Sequence, residues 1–351
     1  MSDRSIIRWG ILGCGNVCEV KSGPGFQKAQ GSALVAVMRR DAAKAEDYAN
    51  RHGVPRWYAD ADRLIDDPEV DAVYVATPPE SHLELALRVA AAAKPCYVEK
   101  PMARSHAECA RMVAAFDAAR LPLFVAYYRR RLPRFVKVKE LVDAGRLGTI
   151  TDVLVRLAQP KHRNPGSGWR LDAAVGGAGL FLDLASHTLD VLDFILGPLH
   201  DVGGVAANLA SPYDVEDVVA MHFRAGGGYG AVGTGVWNFA AARGEDRIEI
   251  TGTDGRVVLS TFGNEPVRFE DRDGKTESFD LPNPEHVQQP LIQTIVDELR
   301  GRAPRGHCPG TGTSAARTSR VMDDVLAGYY GGRDDAFWTR PQTWSGRRVG
   351  L

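Results

Sequence analysis

Residues 6–18 read "IIRWGILGCGNVC", a short apolar run that ends in Gly13-Cys14-Gly15-Asn16-Val17-Cys18. A strand that stops on Gly-x-Gly and turns directly into a helix is the start of a doubly wound nucleotide-binding fold. Gly13 and Gly15 permit a tight turn and let a pyrophosphate approach backbone N–H groups where Asn16 and Val17 open the helix. Cys18 takes the last small position of the fingerprint. Further apolar runs at 33–38, 72–77, 96–100 and 123–127 alternate with helix-length stretches such as "DAAKAEDYANRHG" and "SHLELALRVAAAA". That alternation predicts an α/β Rossmann domain with a parallel sheet over residues 1–125.

Beyond residue 125 the pattern changes. A helix at 134–145 leads to "TITDVLVRLAQP", and a helical segment follows at 178–196. β-rich runs then carry "TDGR" and "RDGK", Asp-Gly hairpin signals. Helical segments at 286–301 and 313–330 close the chain. Residues 126–351 are therefore expected to form an α+β domain with a large, mostly antiparallel sheet.

The chain has 351 residues, 44% hydrophobic and 25% charged, with a formal net charge of −1, which suits a two-domain soluble protein. No basic block points to nucleic acid, and no run reaches the roughly 18 apolar residues of a membrane span. The five cysteines match neither a zinc pattern nor a disulfide framework; buried thiols and no bound metal are expected. The opening residues lack a charged-then-apolar leader, so the expected setting is reducing and cytoplasmic.

The second strand ends "VAVMRRD". Arg39 and Arg40 stand where an NAD enzyme usually carries an acid for the ribose, and arginine forks suit a 2′-phosphate. NADP(H) is favoured over NAD(H); the alternative has Asp41 taking the ribose while both arginines stay solvated. In "EVKSGPGF" the proline and glycines break the first helix. The break either brings Lys21 to substrate or cofactor, or is a surface kink.

"YVEKPMARS" (97–105) ends a strand on Glu99-Lys100-Pro101. The carboxyl ends of parallel strands face the ligand crevice, so Lys100 belongs at that edge, near where a nicotinamide would lie, with Glu99 orienting it or meeting the nicotinamide. "VATPPESH" brings Thr77, Pro78 and His82 to the same edge as cofactor contacts. In 178–196, Asp183, His187 and Asp190 are spaced i, i+4 and i+7 on one helical face, a histidine flanked by carboxylates. No further His or Cys cluster supports a metal there. Tyr127, Tyr128, Arg129 and Arg131 follow the last strand of the first domain and would bind a polyhydroxylated or anionic substrate or make interdomain ion pairs.

Together "GILGCGN", "VYVATPPESH", "VEKPMA" and "GLFLDLASHTLDVL" resemble the Gfo/Idh/MocA oxidoreductases, and "GWRLD" is similar to the 1,5-anhydro-D-fructose reductase branch of that family. The resemblance implies hydride transfer between nicotinamide and a secondary alcohol or ketone carbon of a sugar or polyol. It implies Lys100, Asp183 and His187 as catalytic residues. Trp169 and Arg170 would approach the cofactor, and residues 126–351 would be the substrate-binding and oligomerisation domain, self-associating through the open face of its sheet in dimers or tetramers. Two other readings are an NAD-dependent glycosidase working by transient oxidation and elimination, and a non-catalytic cofactor-binding sensor.

Overall fold

In β1 (Ile7–Leu12) every residue except Arg8 is buried, as a strand covered on both faces requires. The computed structural model describes residues 5–160, 168–226 and 230–347. With β2 (Ser32–Met38), β3 (Arg56–Tyr58), β4 (Ala72–Val75), β5 (Cys96–Val98) and β6 (Leu123–Val125), β1 forms a six-stranded sheet in the order β3-β2-β1-β4-β5-β6. All its pairings are parallel. The order reverses between β1 and β4, the switch point where such sheets bind ligands. β3 was not expected from the sequence, because three residues are too few to show a period.

The first helix is broken as the sequence predicts: Asn16–Val20, then Gly23–Lys28. Packing shows why. The Tyr48 hydroxyl donates to the Cys18 carbonyl at 2.9 Å. A Cβ on Gly23 would lie 2.2 Å from that hydroxyl and 2.3 Å from the carbonyl oxygen. The glycine therefore makes room for a tyrosine that takes over a freed helix carbonyl.

The chain divides into two units, and the division is not a single cut after residue 125. Unit 1 comprises 1–103, 108–132 and 284–316; unit 2 comprises 104–107, 133–283 and 317–351. The returning segment 284–316, read from sequence as part of the second domain, closes the β6 edge: Val125 N–H donates to Gly310 O at 2.9 Å and Phe124 bridges Thr311. Its helix Gln289–Leu299 is preceded by His286, whose Nδ1 is 2.7 Å from the Val20 carbonyl, and by Glu285, paired with Lys28 at 2.9 Å. The last two contacts join residues more than 250 positions apart, which no local pattern can announce.

Unit 2 is built on an eight-stranded sheet. Its strands are β7 (Ile150–Pro160), β8 (Leu199–Ala207), β9 (Val218–Ala225), β10 (Val232–Ala241), β11 (Glu245–Gly252), β12 (Gly255–Leu259), β13 (Val267–Asp271) and β14 (Thr276–Phe279). The order is β14-β13-β12-β11-β7-β10-β9-β8, antiparallel throughout except for β7 against β10. Both Asp-Gly sites are hairpin turns, β11 to β12 and β13 to β14. One sheet face is buried and carries Trp237, which meets Phe181 edge-on at 5.2 Å. The other leaves Leu154, Val205 and Val232 exposed.

The helical segment expected over 178–196 is not one continuous α-helix. Phe181–Ala185 is a π-helical turn, and an α-helix runs from Ser186 to Leu196. Every residue of that α-helix except Phe194 is buried. Its polar side chains therefore face protein rather than water: Asp193 takes a two-pronged ion pair from Arg317 at 2.9 and 2.8 Å. Among the described residues no helix is long and apolar enough to cross a membrane.

Candidate active site

The carboxyl edge of the parallel sheet carries the first group of site residues. Gly13 has φ +86, and a Cβ there would lie 2.6 Å from Thr77 Cγ2, so only glycine lets the turn pass the β4 loop. Gly13 and Cys14 N–H both donate to Met38 O, at 2.8 and 3.2 Å, which pins the turn to the end of β2. Gly15 caps the helix Asn16–Val20 without a side-chain bond, and nothing but the Gly13 carbonyl lies within 4 Å of its missing Cβ. This glycine cradle fits a dinucleotide pyrophosphate above the N–H groups of Asn16 and Val17.

At the end of β2, Asp41 is committed to its own helix. It accepts from Lys44 N at 3.2 Å and pairs with Lys44 Nζ at 2.8 Å, capping Ala42–His52. Arg40 is exposed; half-buried Arg39 lies close enough to Cys14 to oppose the rise of its thiol pKa, which burial pushes up to about 11.

Glu99 is buried at the end of β5 and its carboxylate is held from three sides. Oε1 accepts from the Tyr74 hydroxyl at 2.5 Å and from Gln288 Nε2 at 2.6 Å; Oε2 accepts from the Lys100 backbone N–H at 3.0 Å. The carboxylate thus sets the backbone of the residue that carries the candidate ammonium. Lys100 itself is half-buried.

His82 was expected among the cofactor contacts, but the ring is fully buried. Nε2 is 2.7 Å from Thr77 O, and Nδ1 is 3.1 and 3.2 Å from the Pro101 and Met102 carbonyls. Burial lowers its pKa. The histidine therefore ties the β4 turn to the Lys100-Pro101 turn. Thr77, half-buried, is also held by Ser81, whose hydroxyl donates to Thr77 Oγ1 at 2.7 Å; Pro78 starts the short turn that follows.

Other candidates sit differently from expectation. Lys21 is exposed at the helix break. Tyr127 is in the apolar core of unit 1 with Phe116 and Val125, so its ring is a packing element. Arg129 is buried and stacks on Tyr128 at 5.1 Å. A tyrosine and an arginine read alike in sequence whether they face a ligand or the core.

Unit 2 carries the second group. Arg170 Nε donates to Asp183 Oδ2 at 2.9 Å, and its guanidinium lies 4.4 Å from the Trp169 ring centroid. Asp183 lies in the π-turn, a distortion often found at functional sites. His187, one helical turn on, is buried with its ring edge-on to Phe262 at 5.8 Å. Asp190 is fully enclosed. The glycine-rich approach to this turn is anchored by Glu216, both of whose carboxylate oxygens accept from Gly179 N–H at 3.1 Å. The hydroxyl of Tyr330 donates to the same carboxylate, and burial raises the Glu216 pKa. Glu216, like Gln288, was not foreseen; neither lies in a motif. Among the described residues no group of three or more His, Cys, Asp or Glu could hold a metal.

Residues 7–127 match the family model of oxidoreductases with an NAD-binding Rossmann fold, and residues 135–258 match the Gfo/Idh/MocA C-terminal domain. Oxidoreductase P35 of Formosa agariphila is 37% identical over 325 residues, 91% of this chain and 98% of that protein. The chain belongs to the Gfo/Idh/MocA oxidoreductase family. Within the family, 1,5-anhydro-D-fructose reductase of Ensifer adhaerens is 27% identical over 268 residues, 72% of this chain and 75% of its own length. The fold matches levoglucosan dehydrogenase, solved in complex with NADH and levoglucosan, at TM-score 0.80 and 21% identity, covering 91% of this chain and 96% of that one. The chain is thus a Gfo/Idh/MocA oxidoreductase with an NAD-binding Rossmann domain.

Proposed function

We propose that this Gfo/Idh/MocA member is an NADP(H)-dependent dehydrogenase or reductase acting on a secondary alcohol or ketone carbon of a sugar or polyol. The observation that carries the reading is Lys100 at the carboxyl end of β5, its backbone fixed by the buried Glu99 carboxylate. A buried carboxylate is costly to keep, and this one commits one of its two oxygens to the backbone of Lys100, which suits a lysine that needs a defined position. The names of the relatives, a 1,5-anhydro-D-fructose reductase and a levoglucosan dehydrogenase, support the substrate class.

The nicotinamide supplies the hydride chemistry when bound. Gly13, Gly15, Asn16 and Val17 would hold its pyrophosphate, and Thr77, Pro78 and Glu99 would line its path. Lys100 stabilises charge developing on the substrate oxygen. His187 gives or takes that oxygen's proton, with Asp183 beside it and Arg170 holding Asp183. Trp169 would pack against cofactor, and Lys21 would meet substrate hydroxyls.

The 2′-phosphate preference rests on Asp41 being committed to Lys44 and on Arg39 standing by the glycine turn. The relative solved with NADH favours the opposite preference. Self-association as a homodimer or homotetramer through the face bearing Leu154 and Val232 completes the reading, and the five cysteines, all buried and none in a disulfide, suit a reducing, cytoplasmic setting.

The test is a fluorescence titration with NADPH and NADH, followed by a screen of ketoses, anhydrosugars, inositols and glycosides for a change in reduced nicotinamide. NADPH-linked turnover of a sugar that Lys100→Ala abolishes is the expected result. Glycoside cleavage with retained cofactor and no net absorbance change would instead establish the glycosidase. Cofactor binding with no turnover of any sugar would leave a sensor.

A further inference from the structure

Gln288 stands at the N-cap of the helix Gln289–Leu299, a position whose side chain usually bonds the helix's own first-turn N–H groups. It makes no such bond. The side chain is fully buried and turned instead to the sheet edge, where Nε2 donates to Glu99 Oε1 at 2.6 Å while Oε1 accepts from the Tyr97 hydroxyl at 2.9 Å. Tyr97 thereby fixes which end of the amide faces the carboxylate. Tyr97 stacks on Tyr74 at 4.9 Å, and Tyr74 is the second side-chain donor to the same oxygen. The other oxygen holds the Lys100 N–H.

We propose that Gln288 is a positioning residue for Lys100, acting through the Glu99 carboxylate, an inference that rests on the reading of Lys100 given above. A carboxylate fixed by two donors on one oxygen has its other oxygen aimed at a single direction, and that direction is the Lys100 backbone. Without the Gln288 donor, the buried oxygen turns toward other polar groups and the Lys100 turn loosens. The residue reaches the site only because 284–316 folds back onto the Rossmann sheet.

The surroundings make the inference testable by pH. Among the described residues, the Glu99 charge acts on Cys18, Tyr74, Tyr97 and His82. Burial raises the pKa of the first three and lowers that of the last. In Gln288→Glu, two carboxyls would stand where the amide and carboxylate now meet, and they cannot both ionise easily. At low pH the shared proton lets the introduced carboxyl donate as the Gln288 amide does; above the upper step of the pair, repulsion replaces the bond. Gln288→Met keeps the shape and removes the donor at every pH.

The experiment compares wild type, Gln288→Met, Gln288→Glu and Lys100→Ala in NADPH-linked turnover of the sugar found in the screen above, across pH 5 to 9. Alongside it, carbon-13 NMR follows the glutamate carboxyls. Gln288→Met is expected to lower kcat by about tenfold at all pH values with cofactor affinity within about twofold. Gln288→Glu is expected to match wild type at low pH and fall to the Met level as pH rises. That fall should coincide with a carboxyl titrating well above the ordinary glutamate value of about 4.3. If Lys100→Ala is inactive while both Gln288 variants keep the wild-type kcat and pH profile, the inference is overturned and the reading of Lys100 stands. Full turnover by Lys100→Ala would overturn that reading, and the inference with it.

Discussion

Arg170 donates from Nε to Asp183 Oδ2 at 2.9 Å, joining the loop before the glycine-rich turn to the π-helical turn that carries the aspartate. The arginine side chain is 48% exposed and the aspartate 11%, so the bond restrains a nearly enclosed carboxylate from its solvent side.

Arg170→Met keeps the bulk of the chain and removes that restraint. A pair with one exposed partner contributes less than about 1 kcal/mol to stability, so Tm should move by only a few degrees. If Asp183 works with His187, kcat should nevertheless fall by about tenfold. Steady-state kinetics beside calorimetry separates the two effects; unchanged kcat would remove Arg170 from the machinery.

The arginine pair after β2 makes a discriminating prediction. Arg39→Ala should weaken NADPH binding by about ten- to a hundredfold, through loss of a charge-assisted phosphate contact. NADH binding should change little. Fluorescence titration of both cofactors reads the difference. Equal effects on the two would mean that Arg39 does not read the 2′-position.

Glu19 offers a test of stability against pH. Its carboxylate accepts from both Arg51 and His52, and the Arg51 bonds hold its pKa down at about 2. A depressed folded-state value means stability that is present above the ordinary glutamate range and lost as pH falls toward 2. The carboxylate is 33% exposed, so solvent screening reduces the contribution to about 1 kcal/mol. Glu19→Gln should lower Tm at pH 7 and leave it equal to wild type near pH 2. Thermal unfolding at both pH values decides it.

The exposed sheet face bears on assembly. Leu154 is opposite Thr234 in the β7–β10 ladder, and Val232 is two residues along the same face; both are exposed, at 45% and 50%. If copies of the chain associate there, Leu154→Arg should shift the particle mass in light scattering toward a monomer while leaving the circular dichroism spectrum unchanged. A monomeric wild type would rule out the interface.

Much of the architecture was legible in the sequence. The Gly13-x-Gly15 turn after an apolar run, the alternation up to Val125 and the two Asp-Gly hairpins are local signals, set by backbone sterics and side-chain period. Lys100 could be placed at the ligand edge because parallel strands all end on one side. Asp183 and His187 could be paired because four residues make about one helical turn. What local periodicity cannot show is burial on all sides, which encloses the polar residues of the helix Ser186–Leu196 and puts Tyr127 in the core.

By itself, then, the sequence determined the strand order's starting motif, the change of fold class after residue 125 and the family. Only the tertiary structure decided that 284–316 returns to the first unit, that His82 links two turns, and that Gln288 and Tyr74 hold Glu99. The physical reason is range. Turns and periods are written within a few residues, whereas a hydrogen bond between positions 99 and 288 exists only once the sheet edge and the returning segment have packed together.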